Sequence, residues 1–277
     1  MTGPLAPGLH IVATPIGNLG DLSPRAAETL RSADRILAED TRVTAKLLKH
    51  IGAKVPMSRY DDHSSEQERA TIVAQLGDRA FALVSDAGTP LISDPGYKLV
   101  RAAREAGHSI HTVPGPSAVT AALTLAGMPT DRFLFIGFLP AKAKARTDAI
   151  AQIAAVPVTL VFYESGPRLA DALAALADGL GPRDAAVVRE ISKIHEECVY
   201  GTLGDLAARY AGVAPKGEIV VVVGPPGETA GATDAQVDAA LDEALHRLSP
   251  SRAAAEVADR LKVARKRVYA RALERRN

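Results

Sequence analysis

The chain has 277 residues, 47% hydrophobic and 23% charged, with 33 Lys/Arg, 32 Asp/Glu and one cysteine, Cys198. That length favours about two domains, the lone thiol excludes an internal disulfide framework and fits a reducing cytosol, and no apolar run nears the roughly 20 residues that span a bilayer. His50, His63, His108, His111 and His195 are scattered without zinc spacing, so no metal site is expected.

Met1–Gly8 lacks the basic head and apolar core of a secretory signal. Leu9–Thr14 reads as a first strand, followed by the glycine-containing loop Pro15–Asp21. Ser23-Pro24 opens a helix with Ser at the N-cap and Pro at the first position. Arg35–Ala38 is a second strand, leading through Glu39-Asp40-Thr41-Arg42 into a helix over Val43–Ile51. A weaker strand is expected near Lys54–Met57, and Ser64–Glu68 offers overlapping capping boxes for a helix ending near Leu76. The apolar strand Ala80–Val84 runs into Ser85–Gly96, twelve residues with two glycines, two prolines and two aspartates. Such residues dominate every turn, but structureless connections this long are usually functional. A helix from Tyr97 and a strand over Ser109–Val113 complete an alternating β/α pattern, which means a mostly parallel sheet with helices on both faces.

Val113-Pro114-Gly115-Pro116-Ser117 is a rigid break before the small-residue helix Ala118–Ala126. A second α/β half should follow, with strands near Phe133–Ile136, Val158–Phe162, Ala185–Val188 and Glu218–Val223. The expected fold class is therefore α/β: subdomains over 1–115 and 116–227 with a ligand cleft between them, and a small helical domain over 228–277. Gly224–Gly231 reads as a linker, and helices are expected at Asp234–Leu248, Ser251–Leu261 and Ala264–Leu273. Residues 246–277 hold ten Lys/Arg and three Asp/Glu, a net +7 against −6 for the rest. A basic arm on an acidic body points to a polyanionic partner. Arg267, Arg271 and Arg275 repeat at i+4 on one face, which fits either a helix-turn-helix or a solvated face on a capping bundle.

No Gly-x-Gly-x-x-Gly follows the first strand, and neither a Walker A sequence nor a Gly-x-Ser-x-Gly elbow occurs. What remains is a set of loops: Thr14–Asp21, Glu39–Arg42, Ser85–Gly96, Pro114–Ser117, Tyr163–Arg168, Glu190–Glu197 and Lys216-Gly217. Taken singly each is weak; Glu190–Glu197 could equally be a polar helix start with i,i+4 pairs.

Together, Ala13–Asp21, Glu39–Arg42, Ser85–Gly96, Val113–Ala118, Phe162–Ser165, Arg189–Glu196 and Lys216–Glu218 closely resemble the tetrapyrrole (corrin/porphyrin) methylase superfamily. Within it the chain is similar to the branch that methylates a cytidine 2′-hydroxyl in small-subunit (16S) ribosomal RNA. One departure is Gly166-Pro167, where the family has Pro-His before Arg168, which bears on the shape of that loop. The resemblance implies S-adenosylmethionine as methyl donor, bound by Thr14, Pro15, Asp86, Thr89, Pro90, Ser117, Ala118, Tyr163, Ile191 and Gly217. It also implies a cytoplasmic homodimer acting on 16S rRNA in the small subunit, with no membrane or metal partner. Glu164, Glu190 and Lys193 are the candidates for handling the hydroxyl proton, although Glu190 and Lys193 could simply pair with each other. Lys142, Lys144 and Arg146, with Arg267 and Arg271 of the arm, are the candidate RNA contacts. Corrin-ring methylation, protein modification of the diphthine-synthase kind, and a ribosome assembly factor without turnover are the competing readings.

Overall fold

The computed structural model describes residues 4–227, 234–261 and 263–275. The chain divides into two compact units, one of residues 1–154 and 158–224 and the other of residues 155–157 and 225–277.

The large unit holds two five-stranded sheets. The first is formed by β1 (Gly8–Val12), β2 (Arg35–Ala38), β3 (Met57–Arg59), β4 (Ala80–Val84) and β5 (Ile110–Val113) in the order β3-β2-β4-β1-β5, all parallel. Alternate residues of each strand serve opposite faces. Val12, Ile36, Ala38, Ala82 and Val84 pack under α1 (Pro24–Ser32) and α2 (Thr41–His50). Leu9, Leu37, Phe81 and Leu83 pack under α3 (Glu66–Gln75) and α4 (Tyr97–Glu105). Caps act where the sequence placed them: the Ser23 hydroxyl accepts from Ala26 N–H, and Ser65 and Glu68 form a reciprocal capping box. The third strand lies at Met57–Arg59, after the Lys54–Met57 stretch, because Ile36 N–H donates to Pro56 and the ladder starts one residue on.

Pro114–Ser117 leads into α5 (Ala118–Ala126), which packs on the second sheet. That sheet comprises β6 (Phe133–Phe138), β7 (Thr159–Ser165), β8 (Asp184–Arg189), β9 (Glu197–Thr202) and β10 (Glu218–Val223), in the order β6-β7-β10-β8-β9. Only β6 and β7 are parallel; the other three pairings are antiparallel. One face carries α5, with Val161, Tyr163, Val188, Ile191 and Val220. The other carries α6 (Ala143–Ile153), α7 (Gly166–Leu180) and α8 (Leu203–Tyr210) on Leu160, Phe162, Val187 and Val221.

Two expectations are corrected here. Tyr163–Arg168 is not a loop: the strand continues to Ser165 and α7 starts at Gly166, with Pro167 in its first turn. Gly166 backs onto the Pro215 carbonyl so closely that no Cβ would fit. Nor does Glu190–Glu197 start a helix; it is a turn between β8 and β9, a strand not foreseen. Strand β9 is a partly exposed edge, tied to α5 by hydrogen bonds from Cys198 and Tyr200 to the Leu125 carbonyl, and so shows no continuous apolar run.

In the second unit α9 (Asp234–Leu245), α10 (Pro250–Leu261) and α11 (Arg265–Glu274) enclose a core of Val237, Leu241, Ala253, Val257, Val268 and Ala272. The linker expected at 224–231 falls in part on residues 228–233, outside the described residues. Among the described residues no helix is long and apolar enough to cross a membrane.

Candidate functional site

Open α/β sheets hold ligands beyond the carboxyl ends of their strands. Here the loops leaving β1, β4 and β5 meet the ends of β7 and β8 and, because β10 runs antiparallel to both, the start of β10. They enclose a cavity of about 310 Å³, within the ~300–1,000 Å³ typical of small-molecule sites.

Thr14 and Gly88 exchange backbone hydrogen bonds of 2.9 and 3.1 Å, joining the first two loops. The Thr89 hydroxyl donates to the Pro116 carbonyl at 3.0 Å and joins the third. Ile16, Ile92, Ile191 and Val220 make the apolar wall. The Tyr163 ring lies in the lining with Phe135 and Phe138 edge-on at 4.9 and 5.6 Å. Ile92 sits between Leu91 (φ 74°) and Ser93 (φ 64°), and Ile191 between Glu190 (φ 52°) and Ser192 (φ 65°). Left-handed backbone at non-glycine residues costs about 1–3 kcal/mol each and persists only where neighbours hold it. The Ser192 side chain donates to Asp21 and its N–H to Glu196 at 2.7 Å, which holds the second of these loops.

Six of the ten residues expected at the donor line this cavity: Thr89, Ser117, Ala118, Tyr163, Ile191 and Gly217. Thr14, Pro15 and Pro90 are not in the lining: Thr14 is bridged to Gly88, and Pro15 and Pro90 are chain neighbours of the lining residues Ile16 and Thr89. Asp86 turns away, into a neighbouring recess with Glu39, Asp40, Arg42 and Arg59, and accepts the Asp40 N–H at 3.0 Å. The cavity carboxylate nearest to that role is Asp94, which sequence reasoning did not single out although it lies in the same loop. Burial pushes Asp94 above the usual carboxylate range against a hydrogen bond from Ser85, and Asp86 adds repulsion. Burial likewise pushes Tyr163 up to about 12, with Asp94 and Glu218 adding to it. Phe138 and Glu218 also line the cavity unforeseen; Glu218 stood in a quoted string, whereas Phe138 carried no signal.

The three candidate proton-handling residues do not form one group. Glu164 borders the cavity, but the alternation of β7 sends its side chain to the α7 face. There it accepts the Ser165 N–H at 2.8 Å and lies 3.3 Å from Arg168 Nε. Glu190 and Lys193 do pair, at 2.9 Å, and Lys193 also reaches Glu218 at 3.1 Å. The hydrogen bond from Lys193 holds Glu190 below its ordinary pKa; Lys193 stays above its own, its bonds to Glu190 and Glu218 outweighing burial. The Lys193 stem packs on Gly17 of the β1 loop, so this side chain straps the two halves together. Gly217 (φ 99°) lies against the Glu190 carboxylate, where any Cβ would collide.

The candidate RNA residues separate too. Lys142 and Lys144 are exposed at the start of α6, just beyond Phe138 of the cavity wall, while Arg146 folds back on the Ala141 carbonyl. Arg267 and Arg271 are engaged inside their own unit. Arg267 binds Asp234 at 2.6 Å, and Arg271 makes a two-pronged pair with Asp238 at 2.6 and 2.5 Å. Among the described residues no group of three or more His, Cys, Asp or Glu could hold a metal ion.

A ligand cavity at the strand ends of two apposed α/β halves, with a helical unit appended, defines the class. The chain belongs to the tetrapyrrole (corrin/porphyrin) methylase family, whose model matches residues 8–207. Residues 231–276 match the RsmI C-terminal HTH domain. The chain is 54% identical over 271 residues to the ribosomal RNA small subunit methyltransferase I of Erythrobacter litoralis (strain HTCC2594), covering 98% of this chain and 96% of that one. The protein of the same name from Escherichia coli O157:H7 is 44% identical over 272 residues, 96% and 94% of the two chains. Among solved structures, uroporphyrin-III C-methyl transferase from Thermus thermophilus complexed with S-adenyl homocysteine shares the fold. Its TM-score is 0.53 at 22% identity over 78% of this chain and 97% of that one.

Proposed function

We propose that this protein transfers a methyl group from S-adenosylmethionine to the 2′-hydroxyl of a cytidine in small-subunit (16S) ribosomal RNA. The observation that carries the reading is the meeting of Thr89, Ser117, Ala118, Tyr163, Ile191 and Gly217 on one cavity, in a chain 54% identical to a ribosomal RNA small subunit methyltransferase I.

The residues present fit the donor. Apolar and aromatic walls suit a purine, and Asp94, raised by burial and facing no cation, suits a cationic amino group or sulfonium. Ser117 caps α5 without a side-chain hydrogen bond, leaving first-turn N–H groups at the cavity for a carboxylate. Gly217, in the cavity lining, has no side chain because the Glu190 carboxylate fills the space a Cβ would take, so the strap and the cavity wall meet there. When bound, S-adenosylmethionine supplies a methyl already activated on sulfur. What the chain adds is alignment, worth on the order of 7–11 kcal/mol in the best intramolecular models. Ile16, Ile92 and Ile191 exclude water, and Lys193 with Glu190 and Glu218 holds the strap that positions Ile191. The ribose oxygen would bond to the methyl carbon as the carbon–sulfur bond breaks, leaving S-adenosylhomocysteine, and its proton would pass to water. Glu190, held acidic by Lys193, is poorly suited to take that proton and acts as a positioning group.

A cytoplasmic homodimer is part of this reading. The edge strand β6, with Phe133, Leu134 and Phe138 partly exposed, supports a covered edge; sedimentation of the purified chain measures the mass. The reaction is tested by nuclease digestion and mass spectrometry of small-subunit RNA from cells lacking the protein, which should lose one 2′-O-methylcytidine. A substrate with 2′-deoxycytidine at the target should bind and accept no methyl, since phosphate contacts position RNA regardless of one hydroxyl. Methylation of that substrate would move the acceptor to the base.

A further inference from the structure

The helical unit is less basic than its last 32 residues imply. Helix α9 contributes four acidic residues and no basic one, so residues 234–277 hold ten Lys/Arg against seven Asp/Glu. The acids are placed to consume particular arginines. Asp234, Asp238 and Asp242 recur at i+4 along α9 and face Arg267, Arg271 and Arg275, which recur at i+4 along α11. Arg271 also reaches Asp234 at 3.0 Å, and Arg275 reaches Asp238 at 3.4 Å, so the rungs are cross-linked into a ladder. Elsewhere in the unit Arg247 pairs with Glu256 at 2.5 Å and Arg260 with Glu243 at 3.1 Å.

Among the described residues, three cations of the unit lie outside these pairs. Arg252 and Lys266 are exposed with no carboxylate at ion-pair distance among the described residues, and Arg265 makes one bond of 3.4 Å to the Ser251 hydroxyl. Ser251 is the chain neighbour of Arg252 in the first turn of α10. On α11, at about 100° per residue, Lys266, Tyr269 and Leu273 share a stripe turned away from the ladder, and Val268 and Ala272 fill the core between them. Tyr269 is 41% exposed.

Resting on the rRNA reading above, we propose that the helical unit holds the RNA with Arg252, Arg265, Lys266 and the Tyr269 ring, and that the Arg267–Arg271–Arg275 row is structural. Phosphate binding needs cations whose charge is not already spent, because the gain comes from counterions released by the nucleic acid. An exposed aromatic beside them suits an unpaired base, which RNA loops present and duplexes hide. The start of the second helix in a helix-turn-helix is where such proteins meet the nucleic acid. The ladder arginines cannot serve both purposes without breaking pairs that hold α11 on α9.

Affinity of the full chain for purified small subunits, measured at several salt concentrations, tests this. R265Q/K266Q should lower the slope of log affinity against log salt by about 1.4–1.8, two contacts at roughly 0.7–0.9 each, with an unchanged melting profile. Y269A should weaken binding on the order of tenfold at an unchanged slope. R271Q should keep the wild-type slope and lower the melting temperature. Wild-type slope and affinity in R265Q/K266Q, or a reduced slope in R271Q, would overturn the assignment. A wild-type chain that binds subunits without salt dependence would instead remove the rRNA reading on which it rests.

Discussion

At the carboxyl ends of β2 and β4, burial pushes Glu39, Asp86 and Asp94 above the usual carboxylate range, with repulsion from Asp86 adding to it at Glu39 and Asp94 and from Asp40 at Asp86. Along α9 the aspartates lie on the other side of that range: hydrogen bonds from Arg267 lower Asp234, and those from Arg271 bring Asp238 down to about 2. Glu39 and Asp94 are half-buried with no cation bonded to them, whereas the aspartates of α9 each have an arginine. Carboxylates that a fold satisfies internally stabilise it, whereas buried ones left short of a cation cost stability and attract a cation from outside. Asp40 shows the rule at close range. It stands beside Asp86, yet Arg42 donates to it and holds it acidic, so the negative charge left over at the strand ends is that of its neighbours.

The largest effect that separates the two regions is expected at Asp94. Asp94→Asn should weaken S-adenosylmethionine binding roughly ten- to a hundredfold, the loss of a charged hydrogen bond at about 1.5–3 kcal/mol. The same change should raise the melting temperature of the large unit, because it removes a buried charge that repels Asp86. Calorimetric titration and melting on one preparation read both; a lower melting temperature would mean that the charge is satisfied in the fold. Arg271→Ala should do the reverse. It strips Asp238 of its two-pronged partner, so melting of the helical unit should fall by a few degrees, with donor affinity unchanged. High salt should shrink that difference, since the ladder is solvent-accessible.

Acid should divide the regions next. A depressed carboxylate contributes stability above its unfolded pKa, near 4, which is lost as pH falls through its folded value. The helical unit should therefore hold to about pH 4 and loosen towards pH 2, followed by circular dichroism of the full chain. The raised carboxylates have the opposite sign. Their protonation begins above the usual range and relieves repulsion, so donor affinity should decline on acidification before any helical signal changes. Simultaneous loss of the two signals would show that they share one cooperative unit.

How far this was readable in the sequence follows from where the partners sit. β2, β4 and α5 fall where their apolar runs place them, and α1 starts at the expected Ser-Pro cap, because each rests on contiguous residues. The cavity was legible because its walls come as strings such as Ser85–Gly96 and Val113–Ala118 at strand ends. Which carboxylate of such a string turns inward was not. Asp86 and Asp94 are alike in type, and the left-handed turns at Leu91 and Ser93 between them are set by the folded loop. The pairing of the arginine row was hidden for a simpler reason: every rung joins residues 33 apart, so a charge count beginning at residue 246 omits the acids that face it. Strand β9 depended on the hairpin turn at Glu190 and Ser192, again left-handed at residues that rarely adopt that backbone.

The smallest expected effect concerns Asp86. Its carboxylate accepts the Asp40 N–H at 3.0 Å, and its own N–H points to Glu39 at 3.4 Å, so it ties the β4 loop to the β2 loop behind the cavity. A residue that anchors in this way needs an acceptor oxygen and not a charge. Asp86→Asn keeps an oxygen for Asp40, and relief of repulsion at Glu39 and Asp94 offsets what the amide loses; donor affinity should stay within about threefold, less than 1 kcal/mol, the scale of one neutral hydrogen bond. Asp86→Ala frees the Asp40 N–H and should cost more, about tenfold, by loosening the loop that carries Thr89. Equal losses in both variants, each approaching that of Asp94→Asn, would instead place the Asp86 charge against the donor itself. The recess it shares with Arg42 and Arg59 would then belong to the donor site.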